Sequence, residues 1–193
     1  MAGWVALLWL LEAIDSISGH ALDTFGIQAR QFSELRDVIP ASFMHFGFAH
    51  LAANTVPLLV LGFLAALRGI GRFIGVVLTI MIISGLGVWF IAPAGTNTAG
   101  VSGVIFGLFG YLVVRGFVDK RISDVLIGVV VAVIYGSILL GALPVEGNEE
   151  ISWQGHFFGL LGGVAAAFFF SERRLPSPFK LSGRGPGGPA KRT

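Results

Sequence analysis

Three stretches of this 193-residue chain set chemically capable side chains into otherwise apolar surroundings. Gly100-Val101-Ser102-Gly103 puts one hydroxyl between glycines at the head of an apolar run that reaches Val114. Gly155-His156-Phe157-Phe158-Gly159 puts one imidazole into a second run, while His50 and Asn54 are four residues apart and stack on one face of a third. A serine hydroxyl attacks a carbonyl only when a base takes its proton, and an imidazole can take that proton and return it to a leaving amine. The oxyanion formed on the way needs donors, which His50, Asn54 and the backbone N–H of Ser102 near its helix start can supply. No acid has an obvious position behind His156, so packing must orient its ring.

The elements that hold these groups belong to a membrane. With 54% hydrophobic and 12% charged residues, and a mean hydropathy of +0.83, the chain reads as an all-α polytopic membrane protein. Six apolar segments emerge: Trp4 to Ser18, Phe48 to Leu67, Phe73 to Ile91, Val101 to Val114, Val125 to Leu143, and Trp153 to Phe170. They form one membrane domain over residues 1–172, followed by a basic Pro/Gly/Ser-rich tail over 173–193 that is expected to be disordered. The first segment has no basic residues before it and contains Glu12 and Asp15, so it reads as a retained helix and not a signal peptide. The two acids share a helix face and are expected to be structural. With no cysteine there is no disulfide framework.

Charge sets the orientation. If the tail is cytoplasmic, eleven Lys and Arg lie inside and only Arg30 and Arg36 lie outside, which puts both termini in the cytoplasm and the Ser102 end of the bundle toward the outside. The basic excess sits largely in the tail and argues for membrane lipids as partners and against nucleic acid.

Counting from cytoplasmic anchors gives depth. Ser102 stands thirteen residues from Arg115, Asn54 fourteen from Arg68 and His156 sixteen from Glu172, or roughly 20 to 24 Å at the rise of an α-helix. Three polar side chains therefore share one layer, with His50 about one turn nearer the outside. Arg115 is expected at a membrane surface. Pro93 to Ala99 is too polar and turn-rich to span, and irregular backbone at this depth predicts a water-filled pocket leading to Ser102. Gly103-x3-Gly107 in the fourth segment and Gly155-x3-Gly159-x3-Gly163 in the sixth are close-approach stripes that let two helices touch. Pro57 should bend or loosen the second helix beside Asn54. Ser123 or Asp124 is a plausible N-cap for the fifth helix, with Pro144 as its stop. That helix has no ionisable side chain and suits a lipid-facing gate, with Pro144 to Ser152 a flexible cap. The third helix, with Ser84, Gly85 and Gly87, is assigned only to packing. The loop from Ala21 to Met44 is apolar enough to lie in the membrane interface.

The chain resembles the rhomboid intramembrane serine proteases across essentially all six helices. The resemblance rests on His45-x4-His50-x3-Asn54, on Gly100-Val101-Ser102-Gly103, and on Gly155-His156-x2-Gly159-x3-Gly163, in that order on the corresponding helices. It implies a six-helix bundle of the bacterial inner membrane whose active site opens to the extracytoplasmic side. It also implies Ser102 as nucleophile, His156 as general base and acid, and His50 with Asn54 in the oxyanion hole. The substrates implied are transmembrane proteins, cut in or near a spanning segment where helix-destabilising residues allow the backbone to unwind, with a small residue beside the scissile bond. His45 matches a structural histidine, and the fifth helix with its cap a lateral gate. Phe106 takes the place of an aromatic, often Tyr, that stacks on the catalytic histidine, so stacking survives without a hydroxyl. Gly26-Ile27-Gln28-Ala29-Arg30 matches the first-loop signature only in part.

Other readings have less support. A transporter or channel would bind solute through midplane polar residues, but no inverted repeat is visible and no carboxylate faces Ser102. A metal site from His45, His50 and His156 lacks carboxylate or thiolate partners, so neither metal nor cofactor is expected. A catalytically dead relative typically lacks the serine or the histidine, and both are here.

Overall fold

The computed structural model describes residues 1–144 and 152–172. Among the described residues six α-helices run in chain order: α1 (Ala2–Ile17), α2 (Phe48–Ala66), α3 (Ile70–Ile91), α4 (Ser102–Asp119), α5 (Ile122–Tyr135) and α6 (Trp153–Phe169). Long apolar runs become helices here because a lipid-facing backbone must satisfy its own N–H and C=O groups. The breaks fall where the chain leaves right-handed helical geometry, at Gly69 (φ +102) between α2 and α3 and at Lys120 (φ +53) between α4 and α5. Pro57 lies inside α2, which runs through it without a break.

Among the described residues four helical stretches are long and apolar enough to cross a bilayer: α2, α3, α4, and α5 together with the 3-10 turn that continues it. At 16 and 17 residues, α1 and α6 are shorter. The protein is an integral membrane protein with a mostly helical domain.

The bundle is organised around α4. Val101, Val104, Leu108 and Leu112 are at most 1% exposed, and α4 packs against α2, α3, α5 and α6. Its tightest contact is with α6. A Cβ built on Gly159 would stand 2.1 Å from the carbonyl oxygen of Gly103, and one on Gly163 would stand 1.7 Å from that of Gly107. The glycine stripes expected from the sequence therefore face each other, and only hydrogen at these positions allows the two backbones to meet.

Several boundaries differ from expectation. The fifth helix was expected to continue to Leu143; it ends at Tyr135 and tightens into a 3-10 turn over Gly136–Ala142. Neither Ser123 nor Asp124 caps it, because the N-cap position falls on Arg121 and the Asp124 carboxylate accepts from Arg68 and Arg115 instead. Arg115, at the expected end of the apolar run, is enclosed by protein. It is 2% exposed, lies 3.1 Å from Asp124 and stacks its guanidinium over Tyr111. Arg68 bridges Asp124 to Glu172, which also pairs with Arg72 and Arg121. Arg68, Arg115 and Glu172, the three anchors of the depth count, thus belong to one connected ion-pair network.

The segment from Ala21 to Met44 is more ordered than a surface loop. It forms three 3-10 turns, Ala21–Phe25, Phe32–Val38 and Pro40–Phe43. Between the first two lies strand β1 (Ile27–Gln28), which pairs antiparallel with β2 (Asn97–Thr98) in the register Ile27 to Thr98 and Gln28 to Asn97. This small ladder ties the first loop to the irregular backbone ahead of α4. The expected cap, except its ends at Pro144 and Ser152, and the basic tail lie outside the described residues.

Candidate active site

Ser102 is the first residue of α4, so its N–H lies in the turn whose amides have no partner within the helix. The chain reaches it under tight control. Gly100 donates its N–H to the Ala41 carbonyl at 2.9 Å, and Val101 donates its N–H to His45 Nε2 at 3.3 Å. An Nε2 that accepts must carry no proton, and burial, reinforced by the neighbouring His50 ring, pushes the His45 imidazole down to about 4. His45 is therefore neutral, consistent with the structural part expected of it. Gly100 adopts φ +133, and a Cβ there would stand 2.9 Å from Cε1 of His50. Glycine is required at this position twice over, by backbone conformation and by the ring beside it.

His156 lies in the first turn of α6. Two hydroxyls hold that turn in place: Ser152 Oγ caps it by accepting the Gly155 N–H at 3.2 Å, and Ser84 Oγ donates to the Gly155 carbonyl at 2.7 Å. The imidazole makes three contacts. Nε2 stands 2.9 Å from Ser102 Oγ, Nδ1 stands 2.8 Å from the Gly141 carbonyl, and the ring lies on Phe106 with centroids 4.1 Å apart and planes 7° apart. A carbonyl oxygen only accepts, so Nδ1 must carry the proton. In the neutral ring this leaves the Nε2 lone pair facing the serine hydroxyl. Both residues are half-buried.

Asn54 is 8% exposed, and its amide nitrogen has no hydrogen-bond partner. An amide donor left unpaired in a buried position is uncommon and calls for an explanation. His50, one turn earlier on α2, is half-buried; its ring meets that of His45 edge-on at 5.2 Å and lies against Gly100. The structure thus brings His156 into direct contact with both Ser102 and Phe106 and sets His50 against the glycine two residues before Ser102.

Two participants escape sequence reasoning. The Gly141 carbonyl is a backbone group that any residue would present; the only hint is that a Cβ there would crowd Phe106 at 3.2 Å and His156 at 3.4 Å. Ser84 was assigned to packing, yet its hydroxyl positions the residue before His156. A hydroxyl within an apolar helix was the available signal, but its partner is a carbonyl 71 residues away.

Comparison with known proteins identifies the family. Residues 33–173 match the Rhomboid domain. The chain is 44% identical over 193 residues to the uncharacterized protein Rv1337 of Mycobacterium tuberculosis, an alignment covering 96% of this chain and 80% of that protein. It is also similar to the putative rhomboid protease YdcA of Bacillus subtilis, 27% identical over 180 residues, covering 88% and 85% of the two chains. The rhomboid protease GluP of the same organism is 34% identical over 125 residues, covering 64% of this chain and 24% of GluP.

Proposed function

The chain belongs to the rhomboid family, and we propose that it is an intramembrane serine endopeptidase that hydrolyses a peptide bond in or near a transmembrane segment of membrane-protein substrates. The observation that carries this reading is the 2.9 Å approach of His156 Nε2 to Ser102 Oγ, in a ring whose other nitrogen is committed to a backbone carbonyl. With Nδ1–H fixed in this way, the imidazole enters the reaction as a base aimed at the hydroxyl.

In the proposed mechanism Ser102 Oγ bonds to the scissile carbonyl carbon while its proton passes to His156 Nε2. The carbonyl oxygen becomes an oxyanion, for which the donors are the Ser102 N–H at the helix start, the unpaired Asn54 amide and His50. Collapse of the tetrahedral intermediate breaks the C–N bond, and the leaving amine takes the proton back from Nε2. Water then attacks the acyl-enzyme by the same route in reverse. Gly141 does for the ring what a carboxylate does in a triad, holding its tautomer and plane without adding a charge, and Phe106 supports it from one face.

All six helices span in this reading, with both termini cytoplasmic in a bacterial inner membrane and Ser102 opening to the extracytoplasmic side. Entry past α5 is supported by its exposed apolar face, with Leu126, Val130, Val133 and Ile134 each more than half exposed. A spanning substrate must unwind locally before its backbone can reach Ser102, which favours helix-destabilising residues near the scissile bond.

Labelling by a fluorophosphonate probe tests the proposal. Wild-type protein in detergent should label covalently, and Ser102→Ala and His156→Ala should each lose both labelling and cleavage of a transmembrane substrate while keeping a normal melting curve. Full activity in either variant overturns the dyad.

A further inference from the structure

We propose that the end of α1 and the first turn of the following loop form a site for a divalent transition cation of the Zn²⁺ class, held by Asp15, His20 and Asp23 with Glu12 beside them. The chain reverses immediately after α1 through two consecutive left-handed residues, Gly19 (φ +70) and His20 (φ +64), which folds the His20 ring back over Asp15. His20 Nδ1 stands 2.9 Å from Asp15 Oδ2 and 3.8 Å from Asp23 Oδ2. One ligand atom from each of the three side chains lies within 4.8 Å of the others. Tetrahedral Zn²⁺ with bonds of about 2.0 to 2.1 Å sets ligand atoms roughly 3.3 Å apart, a spacing that lies between the two His20 separations and that side-chain rotation of the partly exposed His20 and Asp23 can reach.

Glu12 is the independent observation. It is 3% exposed, and neither carboxylate oxygen is paired with another side chain or held by a well-formed hydrogen bond. It borders the same narrow cleft as Asp15 and Asp23, with Leu22, Phe43 and His45, and no Lys or Arg lines that cleft. Three carboxylates around one cleft repel one another, and a bound cation offsets that repulsion.

The donor set selects the ion. One imidazole with carboxylates suits Zn²⁺ and its neighbours better than Ca²⁺ or Mg²⁺, which prefer oxygen alone. Asp15 Oδ1 already accepts the Leu22 N–H at 2.7 Å, leaving Oδ2 for the metal and fixing the carboxylate plane. His20 ligates as the neutral ring, its proton moving to Nε2 so that Nδ1 presents a lone pair. The His20 side chain is 60% exposed, so the ion can enter from the aqueous side.

Calorimetric titration of the untagged full-length protein in detergent with Zn²⁺ alone tests the site. One saturable site of micromolar or tighter affinity is expected, weakened by about tenfold or more in His20→Ala and Asp23→Asn and by severalfold in Glu12→Gln, with Ca²⁺ failing to compete at equal concentration. His20→Ala and Asp23→Asn alter partly exposed side chains, and the Asn97 amide donates to the backbone carbonyl of Asp23, which both variants keep. Wild-type melting temperature should rise with Zn²⁺, and that rise should vanish in the same two variants. No saturable binding, unchanged affinity in His20→Ala and Asp23→Asn, or loss of binding in His156→Ala overturns the proposal.

Discussion

Replacing Gly159 by alanine should separate the two reacting groups without touching either. The added Cβ would sit 2.1 Å from the Gly103 carbonyl oxygen, whereas such contacts essentially never fall under 3.0 Å. The obstacle is backbone in the first turn of α4, one residue beyond Ser102, and the intruding methyl lies one turn beyond His156. It cannot swing aside as a flexible side chain would, so α6 must move off α4 by about 0.9 Å, the difference between those distances. Carried to the dyad, this lengthens the 2.9 Å contact between Nε2 and Oγ to about 3.8 Å, beyond hydrogen-bonding range. A misplacement of this size at the reacting atoms is worth roughly 10²-fold in rate, or about 2.7 kcal/mol of transition-state stabilisation. The assay is kcat/KM for a fluorogenic transmembrane substrate in proteoliposomes, read beside a thermal melt. Gly71→Ala is the control, because a Cβ there meets nothing within 4 Å. A folded Gly159→Ala variant that cleaves within about threefold of wild type would refute the claim that the glycine stripe sets the dyad distance.

Asn54→Ala should lower kcat by about 10²-fold or less, because the Ser102 N–H and His50 remain as donors; an unchanged kcat removes Asn54 from the oxyanion site. Ser84→Ala should cost about 1 kcal/mol of stability, seen as a lower melting temperature, by leaving the Gly155 carbonyl without its 2.7 Å partner. Asp124→Ala should be far more damaging, about 3 to 5 kcal/mol, because Arg115 is 2% exposed and would be left charged and uncompensated; a near-normal melt would refute that account. On the acid side, kcat/KM should fall by about tenfold per pH unit once His156 protonates, since a charged imidazole cannot accept the serine proton, and a rate that rises with acidity would exclude His156 as the base.

Much of the site could be read from the chain because its determinants are side chains at helical spacing. Ser102 and His156 were placed at a common depth by counting from Arg115 and Glu172. The two side chains do meet, and the anchors of the count are themselves tied together, since the salt bridge of Arg115 to Asp124 joins it, through Arg68, to Glu172 in one network. The facing glycine stripes were visible for the same reason of periodicity. What stayed hidden depends on backbone groups and on chain reversal. The Gly141 carbonyl reaches His156 only because the fifth helix gives way to a 3-10 turn, and apolar residues such as Ile138, Leu139 and Leu140 give no sign of that change. The pairing of Ile27–Gln28 with Asn97–Thr98 involves two residues on each side, too few for any alternation to show. The αL conformation of His20, which brings it onto Asp15, is one that a non-glycine residue rarely adopts.

The acceptor for Nδ1 of His156 sits on Gly141, in the 3-10 turn that prolongs α5, and the two together make the least buried of the four long apolar stretches. Any outward swing of that turn, such as an incoming polypeptide would require, withdraws the carbonyl and frees the ring to change tautomer or rotate off Phe106. Admission and chemical readiness are then mechanically opposed. In the proposed mechanism the proton relay is whole when the flank is shut, and a substrate would have to let the turn settle back or offer a carbonyl of its own before the serine is deprotonated.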